Sequence, residues 1–464
     1  MTKSLTVGPP VRLIILFTLP LLLGNLFQQL YAVADTLVVG RLLGVDALAA
    51  VGASGSLQFL LFGFAMGAST GMGIPVARAF GSGDLRATRR AVAAGAIVAG
   101  LIALAITLVG TLGSHALLSL LGTPAELMPD AQTFLSVFFA GSVVTVGFNF
   151  LSSMIRALGD SRTPLVFLII ASVLNVGLVL LFIAVFRWGV GGAALATVAA
   201  QGISVALCLV LIGFRIPQLR LRAADWRVGR VELGEAARLG LSMGFQMSVI
   251  AIGAAVLQYG INSLGTDAVA AFTAALRVDQ VAVIPLASVG VAISTYVAQN
   301  RGAGQWWRIR YGVRQTALMA MGLSLVLSLA ILLFGTDLAG LFVGPGEHRV
   351  VAMAHEYLVI NGSLYWVLAL LFVWRGALQG MGSTWVPTVA GVMELLARAA
   401  VGLMLVAPLG FLGVTLAAPL AWVGALVPLA AAWFLQRRRL VLAERALAEA
   451  EATGVLEPVA SCRG

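Results

Sequence analysis

Charge is what this sequence has least of. Its 464 residues hold 29 Lys and Arg and 19 Asp and Glu, where an ordinary soluble domain of that length at about 25% charged would carry about 116. A soluble enzyme is therefore excluded. Histidine is nearly missing, at His115, His348 and His355 only. The two cysteines, Cys208 in an apolar run and Cys462 near the end, supply neither a disulfide framework nor metal-ligand spacing. No metal site, no cofactor and no nucleophile–base pair is expected, and no glycine-rich loop is followed by a Lys to hold ATP. Lysine occurs once, as Lys3, so the net charge of +10 is carried by arginine. These arginines fall in short gaps between apolar runs, the pattern of membrane topology rather than of nucleic-acid binding.

What is present is apolar. The 60% hydrophobic share amounts to about 280 residues, and a membrane-spanning helix uses about 20, so the chain has material for roughly a dozen spans and little else. Cut at charge clusters and Gly/Pro punctuation, the spans fall at 13–39, 47–76, 91–112, 130–155, 163–186, 190–214, 239–263, 268–298, 314–334, 352–374, 385–407 and 411–435. Outer-membrane strands need only half that length of apolar chain. The first apolar run carries Asn25, Gln28 and Gln29 and continues to Val39, which reads as an uncleaved span rather than a signal peptide. With the N-terminus inside, 24 of the 29 basic residues are cytoplasmic, Arg41, Arg187 and Arg349 are outside, and Arg277 and Arg398 fall within spans. The positive-inside rule then puts both termini in the cytoplasm.

The polar stretch 215–238 separates six spans from six, and the chain repeats itself across it. Leu43-Gly44-Val45-Asp46-Ala47 returns as Leu264-Gly265-Thr266-Asp267-Ala268, and Val76-Ala77 through Gly83 meets Val297-Ala298 through Gly304, both at an offset of 221. A further pair, from Leu158-Gly159-Asp160 to Pro164 against Met381-Gly382-Ser383 to Pro387, lies at 223. The expected organisation is a lobe at 1–214, a cytoplasmic linker at 215–238, a second lobe at 239–436 and a tail at 437–464. Repeats with an even number of spans share orientation, so the lobes should be related by an axis along the membrane normal, as in transporters.

Several segments resemble the MATE (multidrug and toxic compound extrusion) family across about residues 12–436, most closely its bacterial, DNA-damage-inducible-F-like branch. These are Pro20 and Asn25, Ala34-Asp35-Thr36 leading into Val39-Gly40-Arg41-Leu42-Leu43-Gly44, Arg156-Ala157-Leu158-Gly159-Asp160 with Pro164, and Trp188-Gly189 through Thr197. The second half adds Arg277-Val278-Asp279-Gln280, Leu378-Gln379-Gly380 through Pro387, and Gly410-Phe411-Leu412-Gly413. The resemblance implies an all-α membrane protein of twelve helices in two six-helix lobes around a central cavity. It also implies export of organic, often cationic or amphipathic, compounds by antiport with H⁺ or Na⁺ from the bacterial inner membrane. A lipid-linked precursor flippase of the same superfamily is the alternative; it would want an Arg-lined cavity, and nearly all Arg here lie outside the spans. Small-molecule substrates, lipid contact and a monomeric state are expected, with no nucleic acid.

Charges inside spans cost about 2.5–3.5 kcal/mol on insertion scales and are functional candidates. Asp35, Arg277, Asp279, Glu394 and Arg398 qualify. Asp35 lies 23 residues after Arg12, about 34 Å along a helix, in the outer half of the membrane. There a carboxylate could take a proton from outside and release it inward, or hold Na⁺ with neutral oxygens; the matching family acid is implicated in cation coupling. Asn175 resembles the family's Asn-x-x-x-Asp element, yet its expected acid is Val179, which leaves Asp35 to work with Asn175 and other neutral groups. Gln28 and Asn149 are further polar candidates, and Pro20 should bend the first helix. Glu394 and Arg398, four apart, share a helix face and can pair. Asp279 should find its partner on another helix. Phe62, Phe64, Phe138, Phe139, Tyr259, Tyr365 and Trp366 could line a cavity for flat cations, though most aromatics at helical spacing face lipid or core.

Overall fold

The structure, a computed structural model, describes residues 4–344 and 346–452, and all its regular elements are helical. The first half comprises α1 (Pro10–Leu43), α2 (Val45–Gly81), α3 (Leu85–Leu120), α4 (Met128–Ala140), α5 (Ser142–Ala157), α6 (Arg162–Leu180), a π-helical turn (Leu181–Val185) and α7 (Gly189–Arg215). Two 3₁₀ turns, Pro217–Leu219 and Ala223–Trp226, lead to the second half. That half comprises α8 (Arg230–Asn262), α9 (Thr266–Gly302), α10 (Trp306–Gly340), α11 (His348–Ser363), α12 (Tyr365–Gly380), α13 (Trp385–Met404), the short α14 (Val406–Leu409) and α15 (Phe411–Ala452). Among the described residues, eight helices are long and apolar enough to cross a membrane, and two bent pairs bring the number to ten. α8 and α13 occupy the positions of the seventh and eleventh expected spans.

The two halves repeat each other element by element, because the same punctuation recurs. α2 and α9 are each 37 residues long and each begins after a glycine with positive φ, Gly44 at 88° and Gly265 at 93°. A side chain there would force a left-handed backbone that only glycine adopts cheaply. The next long helix, α3 or α10, is followed in both halves by a broken span: α4 and α5 meet at 47°, α11 and α12 at 50°. The Asp160 of the first half caps α6 directly, its carboxylate accepting from the Arg162 and Thr163 amides at 3.0 and 3.1 Å and from the Thr163 hydroxyl at 2.7 Å.

The chain packs as two units. One runs over Leu19–Ser248; the other joins Ser4–Thr18 to the chain from Val249 on. The boundaries therefore fall inside α1, next to Pro20, and inside α8. In the first unit α2 lies against the start of α8 at backbone distance, where a Cβ on Gly67 or Gly71 would come within 2.5 or 2.3 Å of the Met243 or Leu239 carbonyl oxygen. Small residues at i and i+4 let membrane helices approach this closely. At the end of the same α2, Arg78 grips Glu235 of α8 with both guanidinium nitrogens, at 2.7 and 2.6 Å. In the second unit the amide side chain of Gln299, at the end of α9, accepts from the Leu5 amide at 2.8 Å, while Asn300 and Arg308 donate to the Leu5 carbonyl. Arg78 and Gln299 are 221 residues apart, the offset of the repeat. The same repeat position thus holds the start of α8 in one unit and, in the other, the turn just before α1.

Candidate transport site

Within the first unit, four helices turn polar stripes toward one cavity. α1 contributes Asn25, Gln28 and Tyr31, α5 contributes Asn149, Ser152 and Arg156, α6 contributes Ser172 and Asn175, and α7 contributes Thr197 and Gln201. The spacings are three, four or seven residues, one face of a helix in each case. The cavity gives about 130 Å³ to the centres of water-sized molecules; at roughly 10–15 Å³ per water by that measure it accepts several waters or a small polar group. Pro20 and Phe62 also face it. Pro20 sits inside α1 and withholds one amide from the helix ladder at the cavity wall.

At one end the side chains interlock. Thr197 accepts from the Tyr31 hydroxyl at 3.3 Å and from the Asn175 amide at 3.1 Å, and itself donates to the Ala193 carbonyl. This orients Asn175 so that its Oδ1, fully buried, finds no donor among the described residues. Asp35 lies one turn past Tyr31 on α1, close enough to act electrostatically on its hydroxyl, and its Oδ1 is likewise buried without a partner. Two acceptor oxygens near this end thus stand unsatisfied among the described residues, that of Asn175 on the cavity wall and that of Asp35 one turn beyond the lining residue Tyr31. One turn further on each helix the lining becomes apolar: Val39, Val179 and Ala193 belong to a buried cluster with Phe134, Ile183 and Val190. Val179, the position of the missing second acid, is 1% exposed in that cluster. Elsewhere along the wall Thr145 donates to Gln201 at 2.6 Å and Asn149 to the Thr145 carbonyl at 2.9 Å.

The remaining candidates gather in the second unit. Asp279 of α9 accepts from the Tyr365 hydroxyl of α12 at 2.7 Å and feels the charge of Arg398 on α13. Glu394 takes Arg398 at 3.1 Å on one oxygen and Arg375 of α12 at 3.0 Å on the other. Two acids and two arginines alternate, so the network is neutral. Arg375 reads from sequence as a cytoplasmic flank; it is in fact buried, because α12 turns it inward onto Glu394. Arg277 is the reverse case, an expected buried charge whose side chain is exposed two residues from Asp279. Of the aromatics, Phe138 and Phe139 are core, Phe64 packs on Phe245, Trp366 is exposed, Tyr365 joins the network and Phe62 reaches the cavity. The Tyr259 side chain lies outside the described residues.

The MatE family model matches residues 20–181 and again 242–404, once per repeat. The chain belongs to the MatE family. Among curated MATE relatives it is 31% identical over 384 residues to "Probable multidrug resistance protein YpnP" of Bacillus subtilis (strain 168), covering 82% of this chain and 84% of that one. To the "FAD transporter" of Shewanella oneidensis it is 24% identical, covering 85% and 88%. Its fold is that of solved MATE structures: a MATE in the bent conformation superposes with a TM-score of 0.86 at 22% identity, covering 96% and 98% of the two chains. The protein is therefore a multi-pass membrane transporter of small molecules, not an enzyme.

Tyr31, Ser152, Arg156, Thr197 and Gln201 escaped sequence reasoning as site residues. Tyr31 carries a usable signal, since it precedes Asp35 by four and follows Gln28 by three. Thr197 and Gln201 are four apart but sit in an Ala-rich run with nothing to tell their face from its opposite.

Proposed function

We propose that the protein exports small organic compounds, often cationic or amphipathic, by secondary antiport with H⁺ or Na⁺. It works as a monomer in the bacterial inner membrane, both termini cytoplasmic, with no cofactor beyond the coupling ion. The observation that carries this reading is the polar cavity of the first unit, whose wall presents the unpartnered oxygen of Asn175, with the unpartnered oxygen of Asp35 one turn beyond the lining residue Tyr31. Ion and substrate would each favour one of two arrangements, which requires different affinities for the two states. Pro20 is the proposed bending point of α1, and the Asp279–Arg398–Glu394 network a polar element of the second lobe.

The test is reconstitution. Proteoliposomes are given ΔpH or ΔNa⁺, one at a time, and a fluorescent substrate, tried both as a cation (ethidium) and as an anion (FMN), is followed. Wild type should move it with one gradient, and Asp35→Asn at equal abundance should abolish that movement. Gradient-driven movement undiminished in Asp35→Asn would remove Asp35 from the mechanism.

A further inference from the structure

The cavity of the first unit has two chemically opposite ends. One end, at Tyr31 and Asn175, offers the bare Asn175 oxygen, with Asp35 one turn beyond the lining. At the other end, near Pro20 and the start of α6, the lining holds Arg156, and no carboxylate lines the cavity anywhere. No carboxylate pairs with Arg156 among the described residues, and its half-buried guanidinium makes no hydrogen bond there. One turn away on the same face of α5, Ser152 is 3% exposed and its hydroxyl has no hydrogen-bond partner among the described residues. A guanidinium and a hydroxyl one turn apart, both with donors to spare, suit an oxyanion. The lining of α1 runs from Pro20 to Tyr31, eleven residues or about 16 Å along the helix, so the two ends are far enough apart to hold an anionic group and a cation separately.

From this we infer that the cavity selects substrates bearing a phosphate or carboxylate, seated at Arg156 and Ser152, with the coupling cation at the Asp35–Asn175 end. The inference rests on the exporter reading and narrows its substrates: a bare organic cation would meet the guanidinium uncompensated, whereas an anion neutralises it and leaves the acceptor end to the ion. A lipid headgroup carries the same phosphate chemistry, so the test separates the two.

The probes are FMN and riboflavin, which share a fluorescent ring system and differ by one phosphate. Binding to the purified protein is read by fluorescence in nanodiscs of phosphatidylcholine, and again with phosphatidylglycerol added. Wild type should bind FMN roughly ten-fold or more tighter than riboflavin, the size of a hydrogen bond to a charged group. Arg156→Gln should erase that preference and Arg156→Lys keep part of it. Ser152→Ala, the smaller change, should reduce it, with the unfolding midpoint confirming that each variant is intact. Equal binding of FMN and riboflavin by wild type, or a preference untouched in Arg156→Gln, overturns the assignment. FMN binding lost when phosphatidylglycerol is present would give the site to a headgroup and overturn it as a substrate site. Because binding is read at equilibrium, this outcome is separate from the exporter reading, which stands or falls on gradient-driven movement of either ethidium or FMN by wild type.

Discussion

The residues that matter here are those whose hydrogen bonds do not close. In the second unit the buried carboxylates are paired: Glu394 spends one oxygen on Arg375 and the other on Arg398, and Asp279 has Tyr365, although the Nε atoms of both arginines stay open. Glu394→Gln would leave two buried guanidinium groups facing a neutral amide. Breaking a buried pair costs about 3–5 kcal/mol, mostly from the charge left behind. The expected outcome is a fall of the unfolding midpoint by many degrees in detergent, with Glu394→Asp in between. An unshifted midpoint for Glu394→Gln would show that water reaches the network. In the first unit the bonds stay open at Asp35, Asn175 and Ser152, and there substitution should cost transport more than stability. Asn175→Leu removes the unpartnered Oδ1 and the bond to Thr197; it should impair ion coupling while the midpoint moves little. Sequence reasoning reached Asp35, Asn175, Gln28 and Asn149 because a polar group in an apolar run is conspicuous. It could not tell Arg156 from the topology-setting arginines, since composition at a span's end is the same whether the side chain faces water, lipid or a cavity. The same blindness read Arg375 as a cytoplasmic flank and Arg277 as a buried charge, where the first is buried and the second exposed.

At the scale of the element, spans were legible and their breaks were not. Ten of the twelve expected apolar runs need no revision beyond their ends, because length and apolarity are summed over many residues. The kinks of 47° and 50° within the fourth and tenth spans depend on how single turns pack and left no mark in hydropathy. The holding points of the first helix of each half were also invisible, although both sit at one repeat position. Arg78 and Glu235 are 35% and 21% exposed, so the pair contributes about 1 kcal/mol rather than the value of a buried one. Arg78→Ala should lower the midpoint by a few degrees. Exchanging the charges, Arg78→Glu with Glu235→Arg, should recover most of the loss; failure to recover would assign the effect to packing of the arginine stem.

For the whole molecule, scarcity becomes an instrument. The orientation proposed from 24 basic residues on one side against three on the other is a sum over loops, and no single contact in the structure expresses it. The cysteine content allows a direct test. Cys208 is buried in α7, and Cys462 follows the last span, so an impermeant maleimide has one native target. With the tail cytoplasmic, Cys462 should stay unlabelled in intact cells and react once the inner membrane is opened. Glu126, exposed in the connection between α3 and α4, lies on the face expected outside; in a Cys462→Ser background, Glu126→Cys should react in intact cells. The two results must be opposite, since three spans separate residue 126 from the cytoplasmic N-terminus and twelve separate the tail from it. Labelling of Cys462 in intact cells, with Glu126→Cys protected, would invert the protein. The acceptor end of the cavity would then face inward, and the direction of transport proposed from it would reverse with it.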